Sequence, residues 1–281
     1  MAKIIAIANQ KGGVGKTTTS VNLSASLAAI KHRVLLVDCD PQGSATVGSG
    51  VEKETVSASL NDVLLGEKSA QDALIITSFG FSLLPANAKL TVAEVRLLNM
   101  DNREQQLKKR LTDVASHYEF VIIDCPPSLN MLTLNALVAA HSVLVPIQCE
   151  YYALEGLTSL LNSIDNIRRA VNPDLKLEGL LRTMYDGRMR LTVEVSEQLL
   201  EHFGDKVYHS VIPRNVRLAE APSHGMPALS YDNRSQGAAA YLALASEVVR
   251  RQIDRTEPRA SASGMIEPRA SASGILQGKY S

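Results

Sequence analysis

The sequence predicts an α/β fold: a mainly parallel, twisted sheet with helices on both faces. Short β-branched apolar runs alternate with segments whose apolar residues recur every three or four positions. Several of those runs are apolar at nearly every position, which is the pattern of strands buried on both faces. The chain has 281 residues, 45% hydrophobic and 21% charged, enough for one large core and unlike a fibrous or mostly disordered protein. Alternating βα units imply right-handed crossovers.

In chain order, IIAIAN (4–9) reads as the first strand, followed by a glycine-rich turn and a helix over TTSVNLSASLAAI (18–30). RVLLVD (33–38) and FSLLPA (81–86) are the next strands, and NREQQLKKRLTDVASHY (102–118) has helical spacing. FVIID (120–124) and SVLVPI (142–147) are apolar strands, LEGLTSLLNSIDNIRRAV (154–171) is a helix, and KLEGLLRT (176–183) is a further strand. AAAYLALASEVVRRQIDR (238–255) again has helical periodicity. From about Thr256 the composition changes, and EPRASASG occurs at 257–264 and again at 267–274. Small polar residues with proline cannot build a core, so the expected organisation is a folded domain over 1–255 and a disordered low-complexity tail over 256–281.

Lys+Arg and Asp+Glu are equal at 29 each, so any nucleic-acid binding must come from a local patch. Cys39, Cys125 and Cys149 have no metal-ligand spacing and read as buried, reduced thiols. The apolar run before Gln10 and Lys11 is too short for a signal peptide, and no stretch approaches a membrane span. A cytoplasmic protein is the expectation.

NQKGGVGKTT (9–18) sits between the first strand and the first helix, where a phosphate-binding loop belongs. The pattern G-x-x-x-x-G-K-[ST] requires glycine at position 10, where this chain has Gln10, but Gly15-Lys16-Thr17 fits its end. Backbone N–H groups of residues 13–18 point at phosphate oxygens in such a loop, and the helix N-terminus adds partial positive charge. Lys16 then reaches the β- and γ-phosphates, and the Thr17 hydroxyl ligates Mg²⁺. A bare turn explains neither residue. Lys11 is one cation more than the pattern needs.

RVLLVDCDPQGSAT (33–46) ends a strand with two carboxylates, Asp38 and Asp40, at the edge that faces the ligand crevice in open α/β sheets. A carboxylate there can position or deprotonate the water that attacks the γ-phosphate. A plain turn aspartate, favoured by Pro41 and Gly43, is the competing reading for one of the pair. FVIIDCPPS (120–128) has the Walker B form, with Asp124 placed to serve the Mg²⁺ shell.

Taken with QCEYYALEG (148–156) and IPRNVRLAEAPSHGMP (212–227), these motifs resemble the ParA/Soj chromosome-partitioning ATPases, of the deviant Walker A (MinD/ParA) class of P-loop NTPases. The resemblance covers residues 1 to about 252. It implies an ATP- and Mg²⁺-dependent ATPase whose nucleotide site involves Lys11, Gly12, Gly13, Val14, Gly15, Lys16, Thr17 and Thr18, with Pro213 and Asn215 lining the adenine. It gives Thr17, Asp40 and Asp124 to the metal and its water, Asp40 aligning the attacking water, and brings Gly12 close at a dimer seam. Lys11 reaches the phosphates bound by the other subunit of an ATP-dependent homodimer, which has the logic of an arginine finger. Ser44 stands where many relatives have asparagine.

The resemblance further implies a ParB-like partner and nonspecific double-stranded DNA, held through Arg188 and Arg217, with Arg190, Arg214, Arg250 and Arg251 as possible neighbours. That places the protein on the nucleoid. The alternative within the class is a MinD-like membrane-associated ATPase for division-site positioning. It needs a basic C-terminal amphipathic helix, whereas this chain runs into EPRASASG, so no membrane partner is expected. Two enzymes on the same scaffold fit less well. A nitrogenase iron protein needs cluster-binding cysteines, and Cys125 lies within the Walker B motif; a P-loop tyrosine kinase carries a tail tyrosine cluster, and this tail offers only Tyr280.

Overall fold

A computed structural model describes residues 2–256 of the chain. The tail read from the sequence lies outside these residues, apart from Thr256. β1 (Lys3–Ile7) leads through the glycine loop into α1 (Lys16–Ala29) and β2 (Val34–Asp38). Short helices α2 (Ser44–Gly48), α3 (Leu60–Leu64) and α4 (Ala70–Ala73) precede the small strands β3 (Ile75–Ile76) and β4 (Ser82–Leu84). Then come α5 (Leu90–Leu97), α6 (Gln106–Ala115), β5 (Phe120–Asp124), α7 (Met131–Ala139) and β6 (Ser142–Gln148). α8 (Ala153–Ala170), β7 (Lys176–Tyr185), α9 (Arg190–Phe203) and β8 (Val207–Pro213) follow. The described chain closes with α10 (Val216–Glu220), α11 (Ala228–Tyr231) and α12 (Gln236–Thr256).

The strands form one eight-stranded sheet in the order β3-β4-β2-β5-β1-β6-β7-β8. All pairings are parallel except β3 with β4. β1, β2 and β5 are buried almost throughout, as their unbroken apolar runs require. Their alternate residues feed two cores, one per face. In β2, Leu35 and Val37 join the core under α3, α5, α6, α7 and α8, while Val34 and Leu36 join the core under α1 and α12.

The strand runs read from the sequence all appear. β8 was not legible because His209 and Ser210 interrupt its apolar pattern, and β3 has only two residues. α7, nearly all apolar, has no polar face to give it a helical period. The helix read over 102–118 is shorter, because Arg103–Gln105 is a 3₁₀ turn that precedes α6.

Candidate functional site

The parallel register fixes the centre of the site. Ile7 of β1 and Asp38 of β2 both align with Asp124 of β5, so three strands deliver their carboxyl ends to one place. The glycine loop rises from β1 at that edge. Gly15 caps α1 with φ 87°, a left-handed conformation that L side chains rarely adopt, which turns the chain from the loop into the helix.

The loop is tied down by distant parts of the chain. Asn9 Nδ2 donates to the Pro146 carbonyl at 2.7 Å, and Asn9 Oδ1 accepts the Lys11 N–H at 3.0 Å. Thr183 Oγ1 donates to the Val14 carbonyl at 2.9 Å. Lys16 is buried, 7% exposed, and its Nζ donates to the Lys11 carbonyl at 3.0 Å. Burial pulls its pKa below the usual lysine value, opposed by the charge of Asp124.

Lys11 points the other way. Its side chain is 48% exposed, and Nζ pairs with Glu150 Oε2 of the same chain at 2.6 Å. Beside Glu150 stand the exposed rings of Tyr151 and Tyr152, edge to face at 4.9 Å.

Asp124 is fully buried. Its two oxygens accept from Thr17 Oγ1 at 2.8 Å and Ser20 Oγ at 2.7 Å. Burial raises its pKa, the charge of Asp38 adds to the rise, and the two hydroxyls hold it back. The two aspartates of RVLLVDCD separate in role. Asp38 is buried and accepts from the Thr46 N–H and hydroxyl, both at 2.7 Å, so it anchors α2; burial raises its pKa too. Asp40 lies at the rim, where its Oδ1 accepts the Gln42 N–H at 2.9 Å.

On the far side of Gly15 and Thr18 opens a cavity of about 190 Å³, lined by Thr183, Met184, Pro213, Asn215, Leu218 and Tyr241 among others. A mostly apolar slot beside a glycine loop and a buried lysine fits a nucleotide: base in the slot, phosphates on the loop. The described residues contain no cluster of three or more His, Cys, Asp or Glu able to hold a metal ion. The Thr17 hydroxyl, bonded to the Asp124 carboxylate, is an oxygen donor of the kind that fits Mg²⁺, which commonly keeps only one or two protein ligands.

The two arginines expected to hold DNA lie on the β7–α9 turn and on α10. Arg188, 90% exposed, is bidentate to Asp186 at 2.8 and 2.6 Å. This pair and the backbone bond hold the Asp186 carboxyl down at about 2. Arg217 pairs with Glu220 at 2.8 Å and Asp232 at 3.2 Å. Of the suggested neighbours, Arg190 and Arg214 are exposed near Arg188 in sequence or across β7 and β8, and Arg250 is exposed on α12. Arg251 is not such a neighbour. It stacks 4.1 Å over Tyr208 and bonds Glu247 and the carbonyls of Asp205 and Val207, a packing role.

The sequence alone did not single out Ser20, Thr183, Glu150 or Tyr241. Only Ser20 leaves a local signal, since it falls one turn after Thr17 and so shares its helix face.

A family model described as an AAA domain matches residues 2–177. The sporulation initiation inhibitor protein Soj of Bacillus subtilis is 54% identical over 249 residues, 88% of this chain and 98% of that protein. The chromosome partitioning protein ParA of Myxococcus xanthus is 48% identical over 263 residues, 93% of each chain. Among solved structures, a cobyrinic acid a,c-diamide synthase of Mycobacterium smegmatis, with bound ATP analogue and magnesium, superposes with a TM-score of 0.80 at 40% identity, covering 91% of this chain and 97% of that one. The cell division ATPase MinD of Pyrococcus furiosus gives 0.75 at 28% identity, covering 89% and 100%. A strand-loop-helix phosphate site carrying Lys11 and Lys16, and these relatives along almost the whole described chain, lead to one conclusion: the protein belongs to the ParA/Soj family of chromosome-partitioning ATPases.

Proposed function

We propose that this protein is an ATP-dependent dimeric switch. It binds ATP with Mg²⁺, pairs with a second copy, and in that form holds double-stranded DNA without sequence preference. A ParB-like partner stimulates hydrolysis, and the ADP form lets the DNA go. It works in the cytoplasm, on the nucleoid.

The observation that supports this reading is the opposite facing of the two loop lysines. Lys16 is buried against its own loop, ready for the chain's own nucleotide. Lys11 faces outward, where it serves phosphates held by a second copy. When bound, Mg²⁺ would supply positive charge to offset that of the nucleotide phosphates. The Thr17 hydroxyl offers it a ligand, and Asp124, with both oxygens held by hydroxyls, orients Thr17. Asp40, at the rim, aligns the attacking water. Pro213 and Asn215 flank the base. A Cβ added at Gly12 would meet no heavy atom within 4 Å, so this position leaves room for a second backbone at the seam.

The test is size-exclusion chromatography with and without ATP, followed by DNA binding on the same samples. A dimer that forms with ATP and then binds unrelated duplexes alike supports the reading. An ATP dimer that ignores DNA at low salt but sediments with anionic liposomes moves the protein to the MinD-like reading. No helix among the described residues is long and apolar enough to cross a membrane.

A further inference from the structure

α12 ends at Thr256, and its last turns line a groove of about 350 Å³ that has no part in the nucleotide site. The groove lies at the amino ends of the central strands, the opposite edge of the sheet from the phosphate loop. Val249, Gln252 and Ile253, spaced i, i+3 and i+4, form one side. Across from them stand Ala2 before β1, Arg33 before β2, and Phe120, the first residue of β5. The Lys3 N–H donates to the Glu119 carbonyl at 2.8 Å, and the Glu119 N–H to the Arg33 carbonyl at 2.9 Å. That side is therefore fixed by the sheet itself.

Glu119 and the exposed Arg33 make the groove's polar end. One Glu119 oxygen accepts the Arg33 N–H and the other meets the His32 ring, both at 3.0 Å. These bonds hold its carboxyl below the usual glutamate range, so an anion stands beside a cation. A carboxylate has about four acceptor positions, which leaves room for a further donor.

Beyond Thr256 the chain repeats ten residues, EPRASASGMI at 257–266 and EPRASASGIL at 267–276. Each copy opens on Glu-Pro-Arg and closes on two apolar residues. A residue before proline favours extended backbone, in which positions two apart face the same side. Glutamate and arginine then face together, as the adjacent Arg33 and Glu119 require. The apolar pair suits Val249, Ile253 and Phe120, and the Ala, Ser and Gly residues between offer no bulk to block close approach. Glu257 follows α12 directly, so the first copy has no chain with which to turn back. The second copy has ten residues before it, a reach of up to about 35 Å. Val249 lies only about 10 Å back along the helix.

We propose that the second copy, residues 267–276, docks in this groove of its own chain, with Glu267 on Arg33, Arg269 on Glu119, and Ile275 and Leu276 against Val249 and Ile253. The segment builds no core of its own; it borrows the edge of one. Tethering supplies an effective concentration of about 1 mM, so a Kd of about 0.1 mM gives roughly tenfold occupancy. The docked tail leaves the nucleotide loop, Lys11 and the arginines of α10 and the β7–α9 turn uncovered.

Trypsin tests this on the full chain, because Arg259 and Arg269 lie in identical octapeptides and share one intrinsic susceptibility. Initial cleavage after Arg269 should be about tenfold slower than after Arg259, since cleavage tracks the undocked population. Arg33→Glu should bring the two rates together. Adding Glu267→Arg should restore the difference by exchanging the ion pair, and the new arginine, preceding proline, is not itself cleaved. Equal rates in the unmodified chain overturn the proposal, as does a difference that Arg33→Glu leaves intact or that the double variant fails to recover. A difference that vanishes on hundredfold dilution also overturns it, by seating the tail in a second copy.

Discussion

The proposed function gives Lys16, Asp40 and Lys11 separable tasks, and single substitutions should separate them. Lys16→Ala removes the buried ammonium proposed to meet the phosphates, so ATP binding itself should vanish in a calorimetric titration; normal binding would refute the loop assignment. Asp40→Ala should keep ATP binding and trap a dimer while turnover falls by about 10²–10⁴, the usual worth of a positioned acid or base. Lys11→Ala should lose about 10³-fold or more in turnover, as removal of a cation supplied in trans does. Mixing it with Asp40→Ala should restore partial activity through heterodimers. A Lys11→Ala monomer that turns over normally would end the trans role. At this scale the sequence was highly legible, because a phosphate loop is a local pattern: glycines, lysine and hydroxyl lie within one turn of chain. Glu150 was illegible as the holder of Lys11, since the two are separated by 139 residues.

Among the elements, the join between β8 and α12 depends on one buried carboxylate. Glu247 accepts the N–H groups of His209 and Ser210, the Ser210 hydroxyl, and Arg251. Glu247→Ala leaves two backbone donors and a nearly buried guanidinium without their acceptor, and should cost about 3–5 kcal/mol, read as a lower denaturant midpoint. β2 and β5 impose a different strain by aligning Asp38 with Asp124. Both carboxyls have raised pKa values, first of all from burial. The folded state then holds protons that the unfolded state has lost, so this pair's contribution to stability falls as pH rises from the ordinary carboxylate pKa near 4 through the raised values. Thermal melts of the nucleotide-free protein should show Asp124→Asn losing less stability than wild type between about pH 5 and pH 8. An unchanged difference across that range would show that the buried pair does not hold its protons.

For the whole molecule, the equal numbers of acids and bases mean that the proposed DNA binding would have to come from geometry rather than net charge. A two-fold dimer presents Arg188 and Arg217 twice, and avidity makes affinity depend on dimerisation while each subunit's patch is unchanged. Binding should weaken steeply with salt, with a log–log slope of about −0.9 per neutralised phosphate. Arg188→Glu or Arg217→Glu should weaken binding alike across unrelated sequences and flatten that slope, leaving ATP-driven dimerisation intact. A charge reversal that changes neither affinity nor slope would remove that arginine from the interface. Both arginines are paired with carboxylates, Arg188 with Asp186 and Arg217 with Glu220 and Asp232, so on the proposed function DNA phosphates would have to displace those carboxylates.

By itself the sequence determined the alternation of strands and helices, the phosphate loop and the two carboxylate-bearing strand ends. All of these are written in neighbouring residues, where apolar period and motif spacing act. Only the tertiary structure decided that Asp38 is the buried anchor of Thr46 and Asp40 the rim carboxylate, because both sit in the same short motif and differ only in which way the strand end turns them. It alone brought Thr183 to Val14, Asn9 to Pro146 and Tyr241 to the cavity beside Gly15. Those meetings follow from β6, β7 and β8 adding in order to one side of β1, a long-range parallel pairing that no local period encodes.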